Sequence, residues 1–417
     1  RFRQFYVNSP ICSPSRCAIV TGQYPQRWKI TSFLENRASN QRRGMAQWLD
    51  PQAPALAKLM KENGYATGHF GKWHLGGQRD VAEAPPITAY GYDESLTNFE
   101  GMGPKLLPLT LKPGQQTPGR IWEDAVKLGG PATWMLRSKI TTGYIDAALP
   151  FMDRAARDGK SFYVDIWPDD VHSPFWPPPE QWQEKKHERY LAVLTEMDRQ
   201  LGKLFDHIRD TPALRDNTVV VIFSDNGPEP GAGSAGPFQG GKGTLHEGGI
   251  RSPLIVWAPG MIAAAKAGTV NDRSVMAAFD LAPSLAKLAK APVPDSVAFD
   301  GRDFLPTLLG REEASRESPI FWRRPPDRKM AGDPAQLQPD LAVREGKWKL
   351  VCDYDGSSAR LFDLEADRGE VKDLATSQPD IVQKLVKEAL AWNAAMPADR
   401  GPQLGAKAEK REGGADE

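Results

Sequence analysis

A chain of 417 residues, 40% of them hydrophobic, can bury a sizeable core, and its length allows one large domain with a smaller one beside it. Lys plus Arg and Asp plus Glu both number 53, so the formal net charge is zero, which gives no support to nucleic-acid or anionic-membrane binding. Anion recognition must come from locally placed cations, and apolar runs of strand length, such as Val219 to Phe223, predict no membrane-spanning helix.

The chain opens at Arg1 inside an expected strand, Phe5 to Val7, and reads as a piece whose N-terminus, with any targeting signal, lies upstream. Next comes Cys12-Ser13-Pro14-Ser15-Arg16-Cys17-Ala18-Ile19-Val20-Thr21-Gly22. Ser13 reads as a helix N-cap, Pro14 suits the first helical position, and Gly22 suits the left-handed residue after the last turn. Such a helix aims unpaired N–H groups and its positive end at Cys12, with Arg16 four residues on, so the cysteine faces an electropositive pocket that favours an anion. A capped surface helix beside a buried cysteine is the plain alternative. The three cysteines (Cys12, Cys17 and Cys352) make no metal-ligand spacing, and their low number fits the cytosol and a bacterial envelope equally.

Ala53 to Asn63 carries Leu56, Leu59 and Met60 at helical spacing and is closed by Gly64. A strand over Tyr65 to Phe70 leads into Gly71-Lys72-Trp73-His74-Leu75-Gly76. Glu83 to Gly130, rich in Pro and Gly and weakly periodic, reads as a long surface excursion that shapes substrate binding. A helix over Ser138 to Arg157 and a strand over Ser161 to Trp167 precede Pro168-Asp169-Asp170-Val171-His172-Ser173-Pro174. Leu194, Met197, Leu201, Leu204 and Ile208 step by three and four, the clearest helix of the chain. The strand Thr218 to Phe223 then ends in Ser224-Asp225-Asn226-Gly227, and a glycine-rich loop brings Gly241-Lys242-Gly243-Thr244-Leu245-His246-Glu247. A strand over Leu254 to Trp257 and a helix near Asp280 to Lys290 follow.

Helices alternating with short strands predict an α/β fold, a large and mostly parallel sheet sandwiched by helices. In such sheets function collects beyond the carboxyl ends of the strands, where Lys72 and His74, His172, and Asp225 and Asn226 all fall. The texture changes near Ser318. Leu341 to Tyr354 reads as two strands around Glu345-Gly346-Lys347, Arg360 to Leu364 as another, and Asp380 to Ala394 as an amphipathic helix. The expected organisation is therefore a large domain over 1–316, a small antiparallel α+β domain over 317–396, and a disordered tail over 397–417.

Cys-x-Pro-Ser-Arg followed by Thr-Gly resembles the signature of the type I, formylglycine-dependent sulfatases, the arylsulfatase family of the alkaline phosphatase superfamily. The resemblance runs by motif from Val7 to about Leu254 and more loosely to Ala394. It implies that Cys12 is converted to formylglycine by a maturation enzyme, with Arg16 holding the modified residue. Alone, Asp225-Asn226 could close a strand as an Asx turn. The resemblance makes Asp225, Asn226 and the modified Cys12 ligands of a divalent cation, Ca2+ before Mg2+. It also casts Lys72 and Lys242 as sulfate-binding lysines, His74 as the partner of the formylglycine hydroxyl and His172 as the histidine near the leaving-group oxygen. Taken singly, Lys72 and His74 could be a solvated lysine and a core-edge histidine. His246 is a further substrate-binding candidate, and His69 and Asp170 stand as pocket residues or scaffold.

The implied function is a sulfuric ester hydrolase acting on a sulfated carbohydrate or aryl sulfate, in the periplasm or secreted. The alternatives are a phosphate mono- or diesterase of the same superfamily and a catalytically incomplete chain that only binds sulfated glycan. One departure from the family pattern stands out. The strand with paired aspartates that completes the family's metal site is not in this chain, and Asp169-Asp170 belong to the His172 loop. Weak calcium binding, poor hydrolysis of sulfate esters by the chain as it stands, and an unpaired sheet edge or an exposed apolar slot are expected to follow.

Overall fold

In the computed structural model, which describes residues 1–327 and 338–399, the strands build three sheets. Phe2–Tyr6 pairs antiparallel with Arg251–Trp257, and parallel with the short strand Met276–Ala277. Arg251–Trp257 also pairs antiparallel with Val220–Phe223. The second sheet runs Gly119–Arg120, Lys105–Thr110, Glu94–Thr97, Ala66–Gly71, Phe162–Trp167, with Ala132–Leu136 also on Lys105–Thr110. Apart from the Gly119–Arg120 strand, its pairings are parallel. The α/β class is as expected, and the parallel pairing is concentrated in this six-stranded sheet.

The two sheets end on Phe162–Trp167 and Val220–Phe223, and no ladder joins these edges. Phe162, Val164, Ile166 and Val220 nevertheless pack on one cluster, with Tyr144, Leu149 and Leu204. Trp167, Val221 and Phe223 pack on another, with Phe5, Ile19 and Leu254. The sheets thus share apolar layers while both edge strands stay half-exposed, as an unpaired edge must.

Most elements lie where periodicity places them: the long amphipathic helix spans Lys186–Asp210 and another spans Ile140–Arg157. Glu83 to Gly130 is a correction. Its first part is no surface excursion, because Glu94–Thr97 and Lys105–Thr110 enter the interior of the parallel sheet and Leu106, Leu107, Tyr90 and Tyr92 are buried, whereas Lys112 to Gly130 is mostly exposed, as expected. A parallel strand buried on both faces shows no polar alternation, and Pro108 inside Lys-Leu-Leu-Pro-Leu-Thr masked it further.

Ile320–Arg323, Leu341–Glu345, Trp348–Cys352 and Arg360–Asp363 form the third, antiparallel sheet, covered by the helix Pro379–Ala395 through Leu385, Ala389 and Trp392. The tail expected to be disordered lies, from 400 on, outside the described residues. A buried ion network ties this sheet to the first. Lys349 Nζ lies 3.1 Å from Glu247 Oε1 and 2.8 Å from Glu370 Oε1. The Tyr6 hydroxyl donates to Glu247 Oε2 at 2.7 Å, and Arg251 reaches the same oxygen at 3.0 Å. Removing one partner of a buried pair strands the other charge, so Lys349→Met is expected to cost about 3 to 5 kcal/mol. Calorimetry should register a fall of several degrees in the melting temperature. An unchanged melting temperature would show that the network contributes no net stability.

Candidate active site

The cysteine helix spans Cys12–Thr21 and begins at Cys12 itself, so Ser13 is not its N-cap. Ser13 Oγ instead accepts the Leu34 N–H at 2.9 Å, anchoring a neighbouring loop, while Ser15 Oγ donates to the Ser9 carbonyl. Gly22 ends the helix at φ 66°, as the sequence predicts, and its N–H bonds the Ala18 carbonyl. Cys12 is buried at the positive end of this helix. Burial would raise its thiol, but the charges of Lys72, His74 and Lys242 outweigh burial and bring it down to about 6.

Arg16, one turn further on, holds three elements together. Its Nη1 donates to the Lys72 carbonyl at 2.7 Å, and its Nη2 and Nε lie 2.9 and 3.1 Å from Asp225 Oδ2. The guanidinium also rests 4.9 Å over the Trp167 ring. Gly71 sets the approach of Lys72: at φ 126° it lies so close to Trp167 that a Cβ would collide with that residue's carbonyl. The Lys72 N–H then donates to the same carbonyl at 2.9 Å.

The buried Lys72 Nζ sits 2.8 Å from Glu100 Oε2, and His74 Nε2 lies 3.1 Å from Glu100 Oε1 and 2.9 Å from the Leu34 carbonyl. Both neighbours of Nε2 are acceptors, so Nε2 carries the hydrogen. His74 Nδ1 is buried without a hydrogen-bond partner. Burial would raise Glu100, but His74 and Lys72 outweigh it and hold its carboxyl down to about 2, fully ionised near neutrality. Burial lowers Lys72, yet Glu100 and Cys12 more than compensate and it is held above its ordinary value.

His172 follows the strand Phe162–Trp167. Its Nδ1 lies 2.7 Å from the Ser173 carbonyl, which can only accept, so Nε2 is the nitrogen left for a ligand. Burial, then Lys72 and Lys242, push this imidazole down to about 3, leaving it neutral. Lys242 is half-buried and has no carboxylate within ion-pair distance among the described residues. Its loop docks against the Cys12 segment through a hydrogen bond from Gly243 N to the Pro10 carbonyl at 2.8 Å.

Cys12, Arg16, Lys72, His74, His172, Lys242 and Asp225 therefore converge, as the mutual charge effects on Cys12, His172 and Asp225 record. His246 does not share their contacts: its Nδ1 lies 3.4 Å from Glu370 Oε1, in the ion network below the third sheet. His69 is enclosed edge-on by Trp73, Tyr92 and Trp167, and Asp170 bonds Thr141 Oγ1 at 2.6 Å. Sequence reasoning missed Glu100. It follows Glu94–Thr97, a parallel strand whose carboxyl end belongs to the same edge of the sheet, and recognising that strand was the only route to it.

The position of Cys12 fits formylglycine. The sulfur stands where the modified residue's oxygens would be, among cations suited to an oxyanion, beside a histidine nitrogen lacking a partner. The divalent cation fits less well. Asp225 is engaged by Arg16, and Asn226 Nδ2 bonds the Gly227 carbonyl. Asp169 is tied to Arg137 and Asn98. Among the described residues no group of three or more acidic, His or Cys side chains could hold a metal ion. Asp225, Asn226 and position 12 fall well short of the roughly six to eight oxygens that Ca2+ takes.

The family described as Sulfatase matches residues 1–291, and that described as N-sulphoglucosamine sulphohydrolase, C-terminal, matches 238–394. Arylsulfatase A of Homo sapiens is 28% identical over 420 residues, covering 92% of this chain and 79% of its own length. N-acetylgalactosamine-6-sulfatase of Canis lupus familiaris is 32% identical over 340 residues, and the alignment spans 78% of this chain but 61% of that protein. The structure of Ps i-CgsB in complex with k-i-k-neocarrahexaose superposes with a TM-score of 0.75 at 26% identity, covering 95% of this chain and 86% of that one.

Proposed function

The chain belongs to the sulfatase family of sulfuric ester hydrolases, within the alkaline phosphatase superfamily, and we propose that it removes sulfate from a sulfated carbohydrate at Cys12. The observation that carries this reading is the gathering of Lys72, Lys242, His74 and His172 around a buried cysteine whose thiol Lys72, His74 and Lys242 draw down to about 6 against its burial. Such a place is built to hold an anion.

Formylglycine, made from Cys12 by a maturation enzyme, supplies an oxygen nucleophile when hydrated. Lys72 and Lys242 neutralise the sulfuryl oxygens, a preorganised field that needs no rearrangement as charge shifts during reaction. His172 presents Nε2 to the leaving-group oxygen. Burial, and after it the two lysines, keep its imidazole neutral in the empty site, and an anionic sulfate ester offsets the lysines' share and so raises its proton affinity. Substrate binding thus arms the residue that must give the departing alcohol its proton. His74 presents Nδ1 to position 12, and Arg16 fixes the helix that carries it. Ca2+ is the ion to which Asp225 and Asn226 oxygens would contribute; they do not complete its shell, and no step here depends on it.

Aromatic faces favour a sugar. Phe99, adjacent to Glu100, stacks on Trp122 at 3.9 Å between ring centres, and Trp176, past His172, lies 5.4 Å from Trp182. All four are half-exposed, whereas Tyr90, Tyr92 and Phe175 are buried and unavailable. The names of the aligned relatives point the same way. A periplasmic or secreted location suits a polymeric substrate too polar to cross a membrane. No helix among the described residues is long and apolar enough to span one. A panel of sulfated oligosaccharides should give a higher kcat/KM than a small aryl sulfate. Equal or better turnover of the aryl ester, with no glycan in the panel desulfated, would overturn the carbohydrate assignment.

A further inference from the structure

We propose that Glu100 is a positioning residue of this reaction: it aims Lys72 and His74 and, by offsetting part of the Lys72 charge, keeps the pocket from retaining its sulfate product. The inference rests on the sulfatase function proposed above.

The first ground is geometric. One carboxylate spans both side chains, Oε2 at 2.8 Å from Lys72 Nζ and Oε1 at 3.1 Å from His74 Nε2. The backbone of Glu100 is itself fixed: its N–H donates to Asn98 Oδ1 at 2.9 Å, and its carbonyl accepts the His74 N–H at 2.8 Å. Asn98 in turn donates to Asp169 Oδ2 at 2.8 Å, and Arg137 holds Asp169 at 2.7 Å. With Nε2 held by Glu100 and Leu34, the free nitrogen of His74 is Nδ1. A flexible lysine and a rotatable imidazole thus acquire one orientation each, which turnover needs.

The second ground is charge. Arg16 is matched by Asp225 and Lys72 by Glu100, while Lys242 has no carboxylate partner among the described residues. A pocket in which all three cations stood unmatched would hold free sulfate, a dianion, more tightly than the monoanionic sulfate ester. Affinity of that kind retains the product and makes its release limit kcat. Glu100 opposes it, because its negative charge acts at short range in a water-poor site.

The test uses the full chain carrying formylglycine, as wild type, Glu100→Gln and Glu100→Asp. It records kcat and KM on a sulfated oligosaccharide turned over by the wild type, and titrates inorganic sulfate by calorimetry. Glu100→Gln is expected to lower kcat by about tenfold or more and to tighten inorganic sulfate by about tenfold, movements in opposite directions. Glu100→Asp, which keeps the charge, should recover sulfate affinity and most of kcat. A scaffold residue would move both the same way. Weaker or unchanged sulfate binding in Glu100→Gln overturns the proposal. A wild type that hydrolyses no sulfated substrate overturns the function instead, and the sulfate titration still decides the charge role of Glu100.

Discussion

Cys12→Ala, expressed beside a maturation enzyme, is expected to lose sulfate-ester hydrolysis altogether, while the wild-type Cys12 peptide carries an aldehyde in its mass spectrum. Removing the nucleophilic position from a group that works as a unit typically costs on the order of 10^4-fold or more in kcat. The place of Cys12 makes the effect chemical rather than structural. It is the first residue of a helix held by Gly22 at its far end and by Arg16 bonds to Lys72 and Asp225, none of which uses the sulfur. Trimming one buried sulfur leaves a small cavity, so stability should fall by no more than about 1 to 2 kcal/mol. The variant should therefore melt cooperatively and keep its affinity for inorganic sulfate. Full activity in Cys12→Ala, or an unmodified Cys12 in an active preparation, would remove this residue from the mechanism.

How much of this site was legible depended on whether each residue followed a strand that the sequence revealed. Lys72 and His74 follow Ala66–Gly71, His172 follows Phe162–Trp167, and Asp225 follows Val220–Phe223; these strands stand between helices with clear periodicity, so the polar groups at their ends stood out. Glu100 follows Glu94–Thr97, a strand of four residues in a stretch of Pro and Gly with no alternation, and went unseen. The same blindness turned an interior part of the parallel sheet into a supposed surface excursion.

Ser13 failed for another reason. Capping preferences rank a serine before a proline as an N-cap, but tertiary contact with Leu34 claimed its hydroxyl. His246 lies next to a functional loop in sequence, yet the loop that follows Arg360–Asp363 places Glu370 beside it, a partner more than a hundred residues away that local patterns do not contain. Local chemistry marks which segments matter; long-range packing decides which side chains of a segment reach the site.

Lys72→Ala and Lys242→Ala are each expected to lower kcat by on the order of a hundredfold or more, since loss of one preorganised electrostatic group typically costs about 3 to 4 kcal/mol of transition-state stabilisation. The two should part company in stability. Lys72 is buried and paired with Glu100, so its removal strands an ionised carboxylate that burial disfavours, and the melting temperature should fall. Lys242 is half-exposed and has no carboxylate partner among the described residues, so its loss should leave stability close to wild type. The double variant Lys72→Ala with Glu100→Gln separates the effects. It removes the stranded charge and should regain much of the lost stability, while turnover stays low because nothing replaces the ammonium at the sulfuryl oxygens. Thermal melts and steady-state kinetics on the same preparations give both readings. If either lysine costs only about tenfold, and in KM alone, it contributes to binding at the margin and not to the transition state.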